Sequence, residues 1–212
     1  FIGAILSLIP FGQPLLIKTG VVLSTTSLIM SLPDIVHAES AVFYYNRGID
    51  KAERGDFYGA IFDYTKAIEI NSNYENAYIN RGISKRKLKD YYGAISDYNK
   101  ALEIDPNDSD TYYNRGISKG KLKDYYGAIS DYTKAIEINP QFANTYYNRG
   151  NSKLNIKDYY GAISDYTKSI EIKPNNKSFY KNRGIAKKKI GDMKGACSDW
   201  RQTVFLSPND AA

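Results

Sequence analysis

The sequence predicts an all-α protein, an array of five stacked helix-turn-helix hairpins, and three observations carry that prediction. The tripeptide Asn-Arg-Gly recurs at Asn46, Asn80, Asn114, Asn148 and Asn182, always 34 residues apart. Each copy holds an apolar stripe at helical period. Asp and Pro stand at matching places in successive copies, where a helix would begin and end. A fixed period of this length is the signature of a solenoid, in which one small helical unit stacks on the next.

In a frame starting at Ala41 the copies run 41–74, 75–108, 109–142, 143–176 and 177–210, within a repeat domain predicted over 39–212. The first helix of each copy carries Asn-Arg-Gly. The second shows the stripe best, with Ala60, Ile61, Tyr64, Ala67 and Ile68 spaced to share one face. Asp56, Asp90, Asp124, Asp158 and Asp192 sit where that helix begins and suit an N-cap, whose carboxylate accepts from otherwise unpaired amides. Pro106, Pro140, Pro174 and Pro208 mark its end. Gly48, Gly82, Gly116, Gly150 and Gly184 fall in mid-helix, where Gly costs about 1 kcal/mol. Repeated five times, that cost implies a close approach of the paired helix.

The 212 residues are 42% hydrophobic and 25% charged, which excludes disorder and collagen. Twenty Tyr stand against one Trp, one Cys and one His. All twenty lie inside the array, because the phrase DYYGAISDY is written three times, from Asp90, Asp124 and Asp158. The single imidazole, His37, precedes the array, and Cys197 has no partner in its own chain. No disulfide framework, Cys/His metal site or cofactor is therefore expected.

Residues 1–38 read as an export signal or membrane anchor. Val21 to Leu32 is an apolar run, Lys18 supplies the positive flank, and Val36-His37-Ala38 suits cleavage before Glu39. The earlier apolar run, Phe1 to Ile17, is interrupted by Pro10, Gln13 and Pro14 and leaves a retained anchor as the alternative.

The repeat resembles the tetratricopeptide repeat, which has aromatic, Gly, Ala, aromatic and Pro residues at fixed offsets in 34 residues. The resemblance rests on Tyr44, Gly48, Ala60 and Tyr64 in the first copy, and on Tyr112, Gly116, Ala128, Tyr132 and Pro140 in the third. It covers about four fifths of the chain and implies a right-handed superhelical solenoid. Two places depart from the family pattern. The usual Leu is Arg47, Arg81, Arg115, Arg149 and Arg183, and the next aromatic is Lys51, Lys85, Lys119, Lys153 and Lys187. This variant is similar to bacterial, often cyanobacterial, repeat proteins, some of which close on a phrase like Gly195-Ala-Cys-Ser-Asp-Trp200. Export would then deliver the domain to the periplasm or the thylakoid lumen.

An Arg on the packed face needs a counter-charge, because an unpaired buried guanidinium costs several kcal/mol. Sixteen residues after each Arg comes an Asp on the returning helix, which predicts the pairs Arg47 with Asp63, Arg81 with Asp97, Arg115 with Asp131, Arg149 with Asp165 and Arg183 with Asp199. The five Asn are neither core nor obvious caps. By resemblance they line a concave groove and hold a partner's backbone, with Tyr45, Tyr113 and Tyr147 adding flat contact and Lys181 at the equivalent place in the last copy. The alternative is an Asn bonded to neighbouring backbone that sets the superhelical pitch. The family's carboxylate clamp pairs a Lys before the Asn with an Asn after the Gly. Those places hold Tyr45 and Ile49, Ile79 and Ile83, Tyr113 and Ile117, Tyr147 and Asn151, and Lys181 and Ile185, so no copy has both.

Net charge by copy runs −1, 0, +1, +2 and +5, which concentrates the overall +6 at one end. An acidic partner or anionic membrane surface would meet that end first, while the plain reading is a solvated terminal face. Nucleic acid is not expected, since the aromatics follow the packing period instead of interleaving with the basic residues. Ser84-Lys-Arg-Lys87 and Ser118-Lys-Gly-Lys121 match an S-x-x-K string without its companion motifs, and they are copies of each other. No catalysis is expected. The sequence thus points to a non-catalytic scaffold or assembly factor that grips an extended peptide or protein. The alternative is a structural role, through self-association as a homodimer at the last repeat or through its basic end on a membrane.

Overall fold

The computed structural model describes residues 40–206, so the expected export segment, its cleavage point and Pro208 lie outside the described residues. Ten helices follow one another: α1 over 40–53, α2 Phe57–Ile70, α3 Glu75–Lys87, α4 Tyr91–Ile104, α5 Ser109–Lys121, α6 Tyr125–Ile138, α7 Ala143–Asn155, α8 Tyr159–Ile172, α9 Lys177–Lys189 and α10 Met193–Phe205. Odd-numbered helices open a hairpin and even-numbered ones close it. No strand occurs among the described residues.

The turn within each hairpin is built the same way five times. The residue before each capping Asp has positive φ: Gly55 at 81°, Lys89 at 65°, Lys123 at 64°, Lys157 at 66° and Gly191 at 83°. This left-handed step lets the next amide reach back five residues, as Asp90 N–H does to the Lys85 carbonyl at 2.9 Å, and so ends the first helix with its carbonyls satisfied. The same Asp then starts the second helix. Its carboxylate accepts from the amide three residues on, Gly59, Gly93, Gly127, Gly161 or Gly195, at 2.8–2.9 Å. At the far end Asp105 is extended ahead of Pro106, the conformation that a residue before Pro prefers.

Packing is strictly local. Each hairpin touches the next, and α3, α5, α7 and α9 also meet one another in order, whereas no such contact joins the even-numbered helices from α2 to α10. The array therefore curves into a superhelix with the odd-numbered helices on its inner, concave side. Among the described residues there is no central core, only a layer per hairpin in which Ala60, Ala94, Ala128, Ala162 and Ala196 are fully buried beside Tyr64, Tyr98, Tyr132 and Tyr166.

Those tyrosines explain the mid-helix glycines. A Cβ on Gly48, Gly82, Gly116 or Gly150 would stand 2.6–2.8 Å from the ring of Tyr64, Tyr98, Tyr132 or Tyr166, and on Gly184 2.5 Å from the Trp200 indole. The outer surface differs from a packing-only account of the tyrosines, since Tyr58, Tyr92, Tyr126 and Tyr160 form a row 74–77% exposed.

Two glycines four residues apart on α5 test this reading. Gly116→Ala drives a methyl into the Tyr132 ring, and overpacking of about 1–3 kcal/mol outweighs the roughly 1 kcal/mol that Ala gains over Gly in a helix. Gly120→Ala, whose Cβ would meet only Ala128 at 4.0 Å, collects that gain unopposed. Urea midpoints should fall for the first variant and rise for the second.

Candidate functional site

Each hairpin encloses one aspartate held by two cations. Asp63, Asp97, Asp131, Asp165 and Asp199 are 0–4% exposed at the side chain. The Arg sixteen residues earlier donates through both Nε and Nη2, with Nη2 to Oδ1 distances of 2.5–2.7 Å. Lys51, Lys85, Lys119, Lys153 and Lys187 stand 2.8–2.9 Å from the other carboxylate oxygen. The lysine's part was missed in the sequence, although the signal was there: Arg and Lys are four apart, hence on one helix face, and both depart from the family pattern together. The Arg47 hydrogen bonds hold the Asp63 carboxyl below the usual carboxylate range, against the opposing effect of burial.

The same arginines join neighbouring hairpins. Nη1 of Arg81, Arg149 and Arg183 donates to Thr65, Thr133 and Thr167 of the preceding copy at 3.0–3.1 Å, and Nη1 of Arg115 to Asn99 at 2.7 Å. Each guanidinium also lies over the ring three residues before it, from Tyr44 at 5.0 Å to Tyr146 and Tyr180 at 5.6 Å.

The asparagine ladder is partly occupied by the fold. Asn80, Asn148 and Asn182 donate to the phenols of Tyr45, Tyr113 and Tyr147, each 35 residues earlier, at 2.9, 3.1 and 3.0 Å. The partner is a side chain of the preceding copy, not the neighbouring backbone. Asn114 is the exception because Ile79 stands where its Tyr would be, and its amide turns to the Asp110 carbonyl of its own helix. Asn46, in the first copy, is exposed. The rings of Tyr45, Tyr113 and Tyr147 are equally engaged, packed at 4.8–5.0 Å against Tyr74, Phe142 and Phe179. The flat contact expected of these rings toward a partner is thus already used between repeats, because their place on the inner helix is also the seam between hairpins.

What remains open on the concave side lies about two helical turns further along. Lys87, Lys121, Lys188 and Lys189 end the inner helices, exposed and in no ion pair among the described residues, and Lys181 is likewise exposed. Between α5 and α7 a cavity of about 260 Å³ is lined by Gly120, Lys121, Tyr132, Asn148, Asn151 and Asn155, with Ile117, Tyr125 and Ser152. Asn151, where other copies have Ile, accepts from Tyr166 and Asn182, both at 2.8 Å. The opposite edge of copies two and three is acidic, and burial followed by Asp105 and Asp108 raises the Glu75 pKa.

Ser84 and Ser118 are buried and donate to the Asn80 and Asn114 carbonyls of their own helices. No group of His, Cys, Asp and Glu among the described residues could hold a metal ion, and no described helix is long and apolar enough to cross a membrane.

The family model for the tetratricopeptide repeat matches residues 75–108, 109–142 and 143–176. The chain is a tetratricopeptide repeat protein. Its solved neighbours include a crystal structure of MamA, 25% identical, with a TM-score of 0.77 over 82% of this chain and 97% of that one. MamA 41-end from Desulfovibrio magneticus RS-1 is 21% identical, with a TM-score of 0.78 over 82% and 98%. YrrB, described as a TPR protein with an unusual peptide-binding site, is 21% identical, with a TM-score of 0.72 over 87% and 93%. A comparison with curated proteins finds no match. Tetratricopeptide repeat proteins of this fold are protein-interaction modules, and no enzymatic family is indicated.

Two measurements check the buried clusters and rings. Asp131→Ala leaves Arg115 and Lys119 without their carboxylate and should cost about 3 kcal/mol, read from the urea midpoint. For Asp63, a folded pKa below the unfolded value of about 3.9 gives stability that is present above that pH and lost as pH falls through the folded value. The melting temperature should therefore drop below about pH 4. In alkali the sign reverses: burial raises the phenol of Tyr64 to about 12 and raises those of Tyr98, Tyr132 and Tyr166 as well. Their contribution is full below pH about 10 and fades as pH rises through the folded values, so phenolate absorbance from these rings should appear only together with unfolding.

Proposed function

We propose that this tetratricopeptide repeat protein holds an extended segment of a partner polypeptide along its concave face and acts as a scaffold. The observation that carries the reading is the set of exposed lysines on the inner helices, Lys87, Lys121, Lys181, Lys188 and Lys189, in no ion pair among the described residues, with Lys121 beside the carboxamides of Asn148, Asn151 and Asn155. Cations without counter-charges attract acidic side chains, and carboxamides offer both donors and acceptors to a backbone. The peptide-binding site named for YrrB supports a peptide as the kind of ligand. The apolar, Lys18-flanked leader with its Val36-His37-Ala38 cleavage grammar supports a setting outside the cytoplasm.

The test is to identify what co-purifies with the protein from its native host and to measure that partner's affinity for Lys87→Glu/Lys121→Glu/Lys189→Glu. A loss of about tenfold or more at unchanged melting temperature is expected. Unchanged affinity would sink the reading.

A second reading, self-association, is favoured by α10, where Val204 and Phe205 are 74% and 76% exposed on the last hairpin. Light scattering on the purified chain decides it: a mass that rises with concentration and returns to monomer in Val204→Asp/Phe205→Asp is the expected sign, and a strict monomer refutes it.

A further inference from the structure

Ala52, Arg86, Gly120, Leu154 and Lys188 hold the same register position on the five inner helices, and in copies two to four that position stands at the aromatic ring of its own hairpin, Tyr98, Tyr132 or Tyr166. In copy two that residue is Arg86. Its guanidinium sits close enough to the buried Tyr98 phenol to counter the rise that burial causes in its pKa. Nη2 points to Asn114 Oδ1 at 3.5 Å, while Nε and the Tyr98 hydroxyl are buried without a hydrogen-bond partner. In copy three the residue is Gly120, and the space that Arg86 fills one repeat earlier is the 260 Å³ cavity. Its floor is Tyr132, the counterpart of Tyr98. Its far wall is Asn148, the counterpart of Asn114, whose amide is turned toward Tyr113.

We infer that this cavity receives an arginine side chain of the bound partner, seated as Arg86 is seated in the repeat before. The inference rests on the groove reading above and names one residue type of its ligand. The walls favour a guanidinium over the other side chain that fills the row, Leu154. Leu154 packs against the buried Ala162, Tyr166 and Ala186 layer, and the next inner helix carries Ile185 at the register position of Asn151. At Gly120 the place of that Ile is taken by Asn151. The register position of Lys121, one helix on from Arg86, is taken at the cavity by Asn155, whose own amide bonds back to the Asn151 carbonyl. Lys121 beside the cavity has its counterpart in Lys87 beside Arg86, so the precedent already includes a neighbouring ammonium. Relative to the Arg86 site, the cavity has lost one positive charge and gained two carboxamides, while keeping the phenol for a planar cation to lie against.

The probe is the capped tripeptide acetyl-Ala-Arg-Ala-amide, followed through the backbone amide spectrum of the 15N-labelled protein, with citrulline and norleucine analogues as comparisons. Saturable shifts confined to Gly120, Lys121 and residues 148–155 are expected, with the uncharged citrulline peptide binding about tenfold more weakly. Gly120→Arg, which supplies the side chain from within, should abolish them while keeping its melting temperature, since the same residue type is accommodated at position 86. Shifts elsewhere only, equal binding of norleucine, or shifts undiminished in Gly120→Arg would overturn the assignment. The lysine-reversal experiment separates the two readings. If it removes the partner while the tripeptide fails, the groove stands and the arginine pocket falls.

Discussion

The buried aspartate of each hairpin is the constraint on which the rest depends. A carboxylate with almost no exposed surface is stable only with its charge and lone pairs met, and here one Arg and one Lys from the opposing helix meet them at every copy. That requirement fixes the pairing of the two helices and the register between them. It extends further because the guanidinium has donors to spare. One arm reaches the preceding hairpin and its plane covers a tyrosine, so a single residue ties together a hairpin, a seam and a ring. Arg47 shows what the seam contributes. With no earlier copy among the described residues to receive its remaining arm, its side chain is 41% exposed, against 15–17% for the other four.

Around this polar anchor the apolar packing is thin and repeated. Glycine opposite an aromatic ring lets the two helices of a hairpin approach, and a column of alanines fills the remaining space. Stability in such an array is a sum of hairpin and seam terms instead of one central core. The repeat is also where function can be written without disturbing the fold. Positions that serve the anchor hardly vary between copies, while the inner row changes from Ala to Arg, Gly, Leu and Lys. A groove of five equivalent places thereby becomes one with a filled place, an open place and an unequal distribution of charge.

Much of this was legible in the chain. The period of 34, the apolar stripe, the capping Asp and the glycines fix the hairpin because each is a local or near-local rule of helix geometry. The partnership of Arg115 with Asp131 could be reasoned because both lie in one hairpin, sixteen residues apart, and a buried cation has few alternatives. Lys119 was overlooked as its companion although its spacing announced it. The asparagines were harder. Whether Asn148 faces a ligand or the phenol of Tyr113 depends on how closely two successive hairpins are set, and the period does not contain that distance.

The sequence by itself determined that this protein is a stack of five helical hairpins whose polar chemistry is repeated recognition, because its signals act within one hairpin and recur five times. The tertiary structure alone decided which repeated groups are free to recognise anything. Superhelical pitch turned Tyr45, Tyr113 and Tyr147 into the seam, left the helix-ending lysines without an ion pair among the described residues, and opened a cavity where Gly120 meets Asn148 and Asn151. The physical reason is that a hydrogen bond between residues 35 apart exists only once two hairpins are packed, and the geometry of that packing belongs to the whole array.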